Sequence, residues 1–395
     1  MRIKMKTIFL SVLVGLLSAS VSTGNERARL IFTGDIMAHI EQLEAAKRGA
    51  SYDFAPQFRR VAPLLENALV VGNLETVFAG EKSRYTGYPA FNTPDDLAGA
   101  LVDAGFHVVT LANNHILDRR EKGAARTIDV LEDAGLLRTG LARDGAEAGD
   151  PLIVVYEGFK LAFLSFTYGS NIPPSQNVAS RDVFLNVISD EAVEEGLARA
   201  GAQAPDLTIV CFHWGNEYQF APTKGCRAIA DLCFKNGADM VIGTHPHVLQ
   251  PLEIVSADGG DDSPRLVAWS LGNFVSNQRT IPRERSVLLA VDVEKIPVEN
   301  ASGDTRIVRV AIAPTWVSSR RLEGRRLFEV VYAGTGDRFN HAGLPEGELR
   351  QAREAGKKVL EFLGATGTPD AEGFYTLWDA GAPDVLPSPG RRSPQ

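Results

Sequence analysis

The sequence predicts an α/β fold: a mixed sheet, or two stacked sheets, with helices on the outside. Three features carry that expectation. Short apolar runs alternate with helical patterns up to His247, and beyond it the texture changes to strands without long helices. The chemically capable side chains Asp35, Glu75, Asn114, His115, His213, His245 and His247 follow directly on runs that read as buried strands. Open sheets present ligands at such strand ends.

Taken in order, Arg29–Thr33 reads as a strand, Ile40–Lys47 as a short helix and Leu69–Val71 as a strand. Pro94–Ala104 is a predicted helix with Thr93 as N-cap and proline at the first helical position, where its missing N–H is harmless. Val108–Leu111 is a strand, and Ala124–Ala134 is a helix stopped by Gly135. Leu152–Tyr156 and Leu161–Phe166 flank Gly158 and predict a hairpin. The Ser-, Asn- and Pro-rich stretch Tyr168–Arg181 reads as a loop over the strand ends. A helix over Glu191–Ala200 leads to a strand Leu207–Val210, and one over Lys224–Asn236 leads to a strand Asp239–Ile242. Strands at Gln250–Ser256, Leu266–Ser270, Val287–Val293 and Ile307–Ala313 follow, with a Gly/Asp turn at Asp258–Asp262. Past Val331 the pattern weakens. A helix is predicted over Glu346–Leu363, and the tail from Gly381 is expected to fray.

A chain of 395 residues holds one large domain with appendages, or two domains. Apolar content of 44% and charged content of 23% exclude wholesale disorder. The formal net charge is -8 and no Lys/Arg cluster is interleaved with aromatics, so the sequence argues against a nucleic-acid partner. Phosphate chemistry remains open where metal ions carry the local positive charge.

At the N-terminus Arg2, Lys4 and Lys6 precede the apolar run Ile8–Leu17 and the small residues Ser18–Ser22. This is the organisation of an export signal over residues 1–22. The apolar stretch is short for a spanning helix, so an uncleaved membrane anchor ranks second. The expected location is the periplasm, the extracellular space or the outer face of the cytoplasmic membrane. Cys211, Cys226 and Cys233 make no disulfide framework and read as small buried hydrophobes. Cys211 is also a soft-ligand candidate, because strand alternation turns it the same way as His213.

Five short segments carry the candidate chemistry. Gly34-Asp35-Ile36-Met37 ends the first strand, with Asp35 either a ligand or a helix N-cap. Gly72-Asn73-Leu74-Glu75 ends the second, with Asn73 and Glu75 on one side by alternation. In Asn113-Asn114-His115-Ile116-Leu117-Asp118, the Asn114 amide oxygen can ligate a metal without adding charge. His115 can hand a proton to a leaving oxygen, and Asp118 can orient its ring; an Asn-rich turn is the alternative. His213-Trp214-Gly215-Asn216-Glu217-Tyr218 turns sharply at its glycine. Gly243-Thr244-His245-Pro246-His247 places two imidazoles on one side of a segment that proline keeps extended. Four of the seven histidines lie in the last three of these segments. Farther on, Ser270-Leu271-Gly272-Asn273-Phe274 reads as a pocket wall, with Asn273 and Arg279 meeting substrate, or as a glycine turn with a packed Phe.

In this order, Gly-Asp-x-Met, Gly-Asn-Leu-Glu, Asn-Asn-His-x-x-Asp, His-Trp-Gly-x-Glu-Tyr, His-Pro-His-Val and Ser-Leu-Gly-Asn-Phe resemble the CapA-type bacterial capsule (poly-γ-glutamate) biosynthesis proteins. That family is similar in turn to the calcineurin-like metallophosphoesterases. The resemblance covers roughly residues 29–280. It implies a four-layer α-β-β-α sandwich over residues 28–320, with 321–395 as a C-terminal extension partly packed on it and a flexible tail. It also implies one or two divalent ions (Mn, Fe or Zn). Asp35, Glu75 and His247 would hold one, and Glu75 would bridge to a second completed by Asn114, His213 and His245. His115 would be the general acid with Asp118 behind it, and a hydroxide on the metal would attack phosphorus or a carbonyl carbon. Asn73, Trp214, Glu217, Tyr218, Asn273 and Arg279 are the substrate-facing candidates.

This chain departs from the phosphoesterase pattern in three places. Met37 stands where Asp-x-His has its histidine, with His39 as the candidate replacement. Asn73 stands at the bridging aspartate, and Thr244 stands where another His is frequent. Three functions compete. The first is an exported metal-dependent hydrolase of capsule or cell-envelope polymers, cleaving a phosphoester or a γ-glutamyl amide. The second is a non-catalytic metal-containing subunit of a membrane synthesis or export complex that binds an anionic polymer. The third is an extracellular solute-binding protein, which needs no clustered histidines.

Overall fold

A computed structural model describes residues 26–174, 182–255, 264–296, 304–335 and 341–381. The export signal over 1–22, the Asp258–Asp262 turn, the end of the Tyr168–Arg181 loop and the tail past 381 lie outside the described residues. Among the described residues no helix is long and apolar enough to cross a membrane.

The elements run β1 (Arg27–Ile36), α1 (Ile40–Ala46), β2 (Lys47–Arg48), β3 (Ser51–Tyr52), α2 (Ala55–Phe58), β4 (Leu69–Leu74), α3 (Asp96–Asp103), β5 (Phe106–Thr110) and α4 (Arg120–Ala134). Next come β6 (Leu137–Thr139), β7 (Leu141–Ala142), β8 (Leu152–Tyr156), β9 (Phe159–Thr167), β10 (Phe184–Leu185), α5 (Asp190–Ala202), β11 (Leu207–His213), α6 (Lys224–Lys235) and β12 (Met240–Thr244). The chain closes with β13 (Leu252–Val255), β14 (Arg265–Ala268), β15 (Asn273–Val275), β16 (Arg285–Ile296), β17 (Asp304–Leu322), β18 (Arg325–Tyr332), α7 (Glu346–Leu363) and β19 (Tyr375–Asp379).

Nine strands form one sheet in the order β18-β17-β16-β1-β4-β5-β6, with β15 beside β1 and β19 beside β17. Six form a second in the order β13-β14-β12-β11-β9-β8. Both are mixed. β1, β4, β5 and β6 are parallel, as are β9, β11, β12 and β14, whereas the C-terminal strands pair antiparallel.

Strand alternation decides which residues enter which core. Leu30, Phe32, Leu69, Val71 and Val108 of the first sheet share a core with Phe163, Ile209 and Met240 of the second. Their neighbours Ile31, Val70 and Val109 turn outward under Leu97, Leu101 and Ile128 of α3 and α4. On the far side Ala162, Val210 and Val241 pack under Val193 and Leu197 of α5 and Phe234 of α6. The layers are α-β-β-α, as the resemblance implied. Each fully buried Phe or Leu contributes about 1.5–3 kcal/mol by leaving water.

Residue 320 lies within β17, and β18, β19 and α7 continue the first sheet and its cover. Ala352 and Ala355 of α7 pack on Trp316, Val331 and Ala333. The approach is so close that a Cβ at Gly356 would sit 1.8 Å from the Ala333 oxygen.

Several local expectations change. Cys211 is not a ligand candidate: it is buried in the inter-sheet core, and burial pushes its thiol up to about 12. All three cysteines are free and buried. Thr93 does not cap α3, because its hydroxyl is engaged with Thr76 Oγ1 at 2.7 Å; the cap position is Asp95. The predicted hairpin forms, and its turn residues Glu157 and Gly158 have φ of 47° and 82°. β1 and β4 run on to Ile36 and Leu74, which puts Asp35 opposite both Asn73 and Asn273 in register.

Candidate metal centre

The two sheets bring their strand ends to one place. Asp35 is on β1, Glu75 follows β4, Asn114 follows β5, His213 ends β11, and His245 and His247 follow β12. Closeness at β1 depends on Gly34, where a Cβ would lie 1.9 Å from the Gly272 oxygen. All six side chains are buried.

Their polar atoms converge. His213 Nε2 is 2.9 Å from Asn114 Oδ1 and 3.7 Å from Glu75 Oε1. His247 Nδ1 is 3.1 Å from Asp35 Oδ2 and 3.0 Å from Asn273 Oδ1, and its Nε2 is 3.9 Å from Glu75 Oε1. The His245 ring is centred 4.7 Å from that of His213, and ligand atoms of Asp35, Glu75 and His213 lie within 4.8 Å of one another. A shell of amides and hydroxyls orients these groups. Asn73 Nδ2 donates to Asp35 Oδ1 at 2.8 Å, and Asn73 Oδ1 accepts from Thr110 at 3.2 Å. Thr244 Oγ1 is 3.2 Å from His213 Nδ1.

Two groups are left without partners. Among the described residues neither oxygen of Glu75 nor His245 Nδ1 meets a hydrogen-bond partner, although all three atoms are buried. Burial, then the neighbouring Asp35 charge, raises the Glu75 carboxyl well above its ordinary range. Burial, then His245, drives His213 well below its ordinary value, and burial lowers His245 to about 4. The 3.7 Å His213–Glu75 separation is therefore not an ion pair at neutral pH, since His213 is uncharged there. A buried carboxylate without a hydrogen bond is costly unless a cation meets it. Carboxylate and amide oxygens with neutral imidazoles are the donors that Mn, Fe or Zn prefer.

The His-Pro-His segment is not extended, contrary to the sequence expectation. His245 and His247 have φ of 97° and 57°, a region that costs a non-glycine residue roughly 1–3 kcal/mol. The turn is held by Tyr218 N–H donating to the Pro246 oxygen at 2.8 Å, and both imidazoles still face the centre.

His115 stands beside this cluster. Asp118 Oδ2 lies 2.7 Å from His115 Nδ1 and accepts from Phe91 N–H at 2.7 Å. The ring packs edge-on to Phe91, with centroids 4.7 Å apart, leaving Nε2 as its remaining polar atom. At the Asp-x-His position Met37 is buried, while His39 Nδ1 accepts from Asn277 N–H at 3.2 Å and burial lowers its ring to about 4.

The substrate-facing candidates separate. Asn73 and Asn273 are buried and hydrogen-bond to Asp35 and His247 respectively. Tyr218 is at the rim, its ring 6.0 Å from that of His247, and Glu217 is exposed beside it. Trp214 belongs to the core: its ring stacks 4.5 Å from Phe212 and its N–H donates to the Trp269 oxygen, because the residue after His213 turns to the opposite face. Arg279 points away, donating to the Val317 oxygen at 2.7 Å. Arg283, missed from sequence, takes the rim position instead, with its guanidinium 3.4 Å from the Tyr218 ring centre. Tyr168, on the predicted loop, has its ring 4.7 Å from His245.

Residues 29–278 match the family described as "Bacterial capsule synthesis protein PGA_cap". Over 271 residues the chain is 31% identical to "Capsule biosynthesis protein CapA" of Bacillus anthracis, covering 64% of this chain and 61% of that one. Over 277 residues it is 26% identical to "PGA biosynthesis protein CapA" of Bacillus subtilis (strain 168), covering 67% of each. Among solved structures it is similar to the calcineurin-like phosphoesterase YfkN from Bacillus subtilis, at 17% identity and a TM-score of 0.41, covering 72% of this chain and 91% of that one. The family match takes in the whole cluster from Asp35 to Asn273, and the chain belongs to the PGA_cap family of bacterial capsule synthesis proteins.

Proposed function

We propose that the chain is an exported, metal-dependent hydrolase of capsule or other cell-envelope polymer metabolism. The observation that carries this reading is Glu75, a fully buried side chain with no hydrogen bond to either oxygen among the described residues, set beside His213, which burial holds well below its ordinary pKa. Asp35, Glu75 and His247 would hold one ion; Asn114, His213 and His245 would hold a second, with Glu75 between them. When bound, divalent ions supply Lewis-acid polarisation and offset negative charge that develops during hydrolysis.

The chain's own groups do the rest. Asp118 accepts the Nδ1 proton of His115 and stabilises its imidazolium, so Nε2–H is the proton His115 can give to a leaving oxygen or nitrogen. Asn273 and Asp35 accept from His247 Nδ1, which turns its Nε2 toward Glu75. Tyr168 lies against the His245 ring, with centroids 4.7 Å apart. The bond class is a phosphoester or a γ-glutamyl amide, and the N-terminal signal pattern supports action outside the cytoplasm. The second reading, a non-catalytic subunit, draws on Met37, which offers no hard-metal ligand; it predicts metal without turnover.

The test is elemental analysis of the purified chain, then a metal-dependent screen of phosphomonoesters, phosphodiesters and γ-glutamyl peptides. Bound metal with turnover that His115→Ala abolishes is the expected result. Turnover unchanged in His115→Ala would remove the mechanism, and absence of bound Mn, Fe or Zn would remove the reading.

A further inference from the structure

Three arginines lie close together between β15 and the start of β16, and the fold employs them differently. Arg279 donates to the Val317 oxygen and lies over Trp316. Arg285 pairs with Glu284 through Nε at 3.3 Å. Arg283 is stacked on Tyr218, 3.4 Å from the ring centre, and among the described residues no carboxylate or hydrogen-bond acceptor meets its guanidinium. A guanidinium lying flat on a ring keeps its N–H edge free, and that planar fork matches two oxygens of a carboxylate or phosphate.

Both partners of the stack are anchored to the centre. The Arg283 oxygen accepts from Asn273 Nδ2 at 2.9 Å, and Oδ1 of the same amide faces His247 Nδ1 at 3.0 Å. Tyr218 donates its N–H to the Pro246 oxygen, and its ring is 6.0 Å from that of His247. Arg283 thus stands one ring outside a proposed metal ligand, half-buried at the rim.

We propose that Arg283, stacked on Tyr218, is a specificity-determining residue that binds a second oxyanion of the substrate, a carboxylate or a non-reacting phosphate, beside the bond handled at the metal centre. The inference rests on the metal-centre reading for the place of that bond. It explains how an acidic protein can prefer an anionic polymer: the selecting charge is local, on a rigid support, and not a property of the whole surface.

The test reads binding without turnover, by calorimetry on the full chain loaded with Mn²⁺ and carrying His115→Ala, the substitution expected to abolish turnover. Two probe pairs are compared: a γ-linked glutamate tetramer with its α-carboxamide counterpart, and a glycerol-phosphate oligomer with its neutral methylphosphonate counterpart. The charged member of one pair should bind at least about tenfold more tightly than the neutral one, the effect of a charged bidentate contact. Which pair discriminates identifies the oxyanion. Arg283→Gln should lose that preference with metal content unchanged, and Arg283→Lys, which keeps charge but not the fork, should retain part of it. No preference in the chain that retains Arg283, or a full preference in both Arg283 variants, overturns the inference. A wild-type chain that hydrolyses nothing, beside an Arg283-dependent preference, refutes the hydrolase and leaves this inference standing.

Discussion

Glu329 on β18 is buried between two arginines, with Arg60 Nε 2.7 Å from one oxygen and Arg320 on the other. Glu75, at the ends of the parallel strands, is fully buried, but its nearest basic atom is Nε2 of His213, an imidazole that burial keeps neutral. Both sit on strands of one sheet or directly after them. In the antiparallel, C-terminal half the fold supplies two arginines to a buried carboxylate; at the strand-end cluster no Lys or Arg among the described residues meets Glu75. The contrast teaches that one buried carboxyl is neutralised by arginines of the chain, whereas the other is left to a proton or, in the function proposed above, to a metal ion.

His115 tests the contrast most strongly, because with Asp118 it forms a buried pair satisfied inside the chain although it borders the cluster. His115→Ala is expected to lower turnover by about 10²–10⁴-fold, the usual worth of a general acid, while elemental analysis finds the same metal content as in the wild type. Loss of metal in this variant would erase the distinction between acid and ligand. Glu329→Gln should leave metal content unchanged and destabilise the fold by about 3–5 kcal/mol in urea titration, since it strands two partly buried arginines. A smaller cost would mean that solvent already screens the Arg60–Glu329–Arg320 group. Asn273→Ala removes the amide that orients His247 and should weaken metal binding by about 10–100-fold with little change in the melting temperature.

The smallest expected effect lies away from the cluster. His107 Nδ1 accepts from Val70 N–H at 3.2 Å, and burial lowers its pKa below 6.5. Its neutral form is the folded one, so its contribution is intact above pH 6.5. As pH falls below that value the unfolded chain takes up a proton first, and stability is lost. Partial exposure of the ring keeps this slope shallow. His107→Gln, which keeps an acceptor, should flatten the melting temperature between pH 7 and pH 5; an unchanged slope would assign that loss to other groups.

Much of the centre was legible because strand alternation and strand-end position are local properties of sequence. Asp35, Glu75, Asn114, His115, His213, His245 and His247 meet as chain order suggested. What was not legible depended on contacts distant in sequence. β17 spans 19 residues and β18 pairs with it, yet neither looks unusual until β16 templates them. Trp214 reads as a rim aromatic until Phe212 and Trp269 appear on either side of it. Arg279 and Arg283 are equivalent in a loop, and only Tyr218 distinguishes them. The His245 and His247 backbone turns left-handed where proline spacing suggested extension, because Pro246 is tied to Tyr218.

The central claim is that Glu75 awaits a cation, and one paired measurement addresses it: metal content and melting temperature of the wild type and Glu75→Gln, each with and without chelator. The wild type should carry Mn, Fe or Zn and lose stability with chelator, by about 2.7 kcal/mol if the ion was present at a hundred times its Kd. Glu75→Gln should carry little metal, ignore chelator, and melt at or above the chelated wild type, because the unpartnered carboxylate is gone. A wild type that is metal-free and unmoved by chelator, with Glu75→Gln melting below it, would contradict the account.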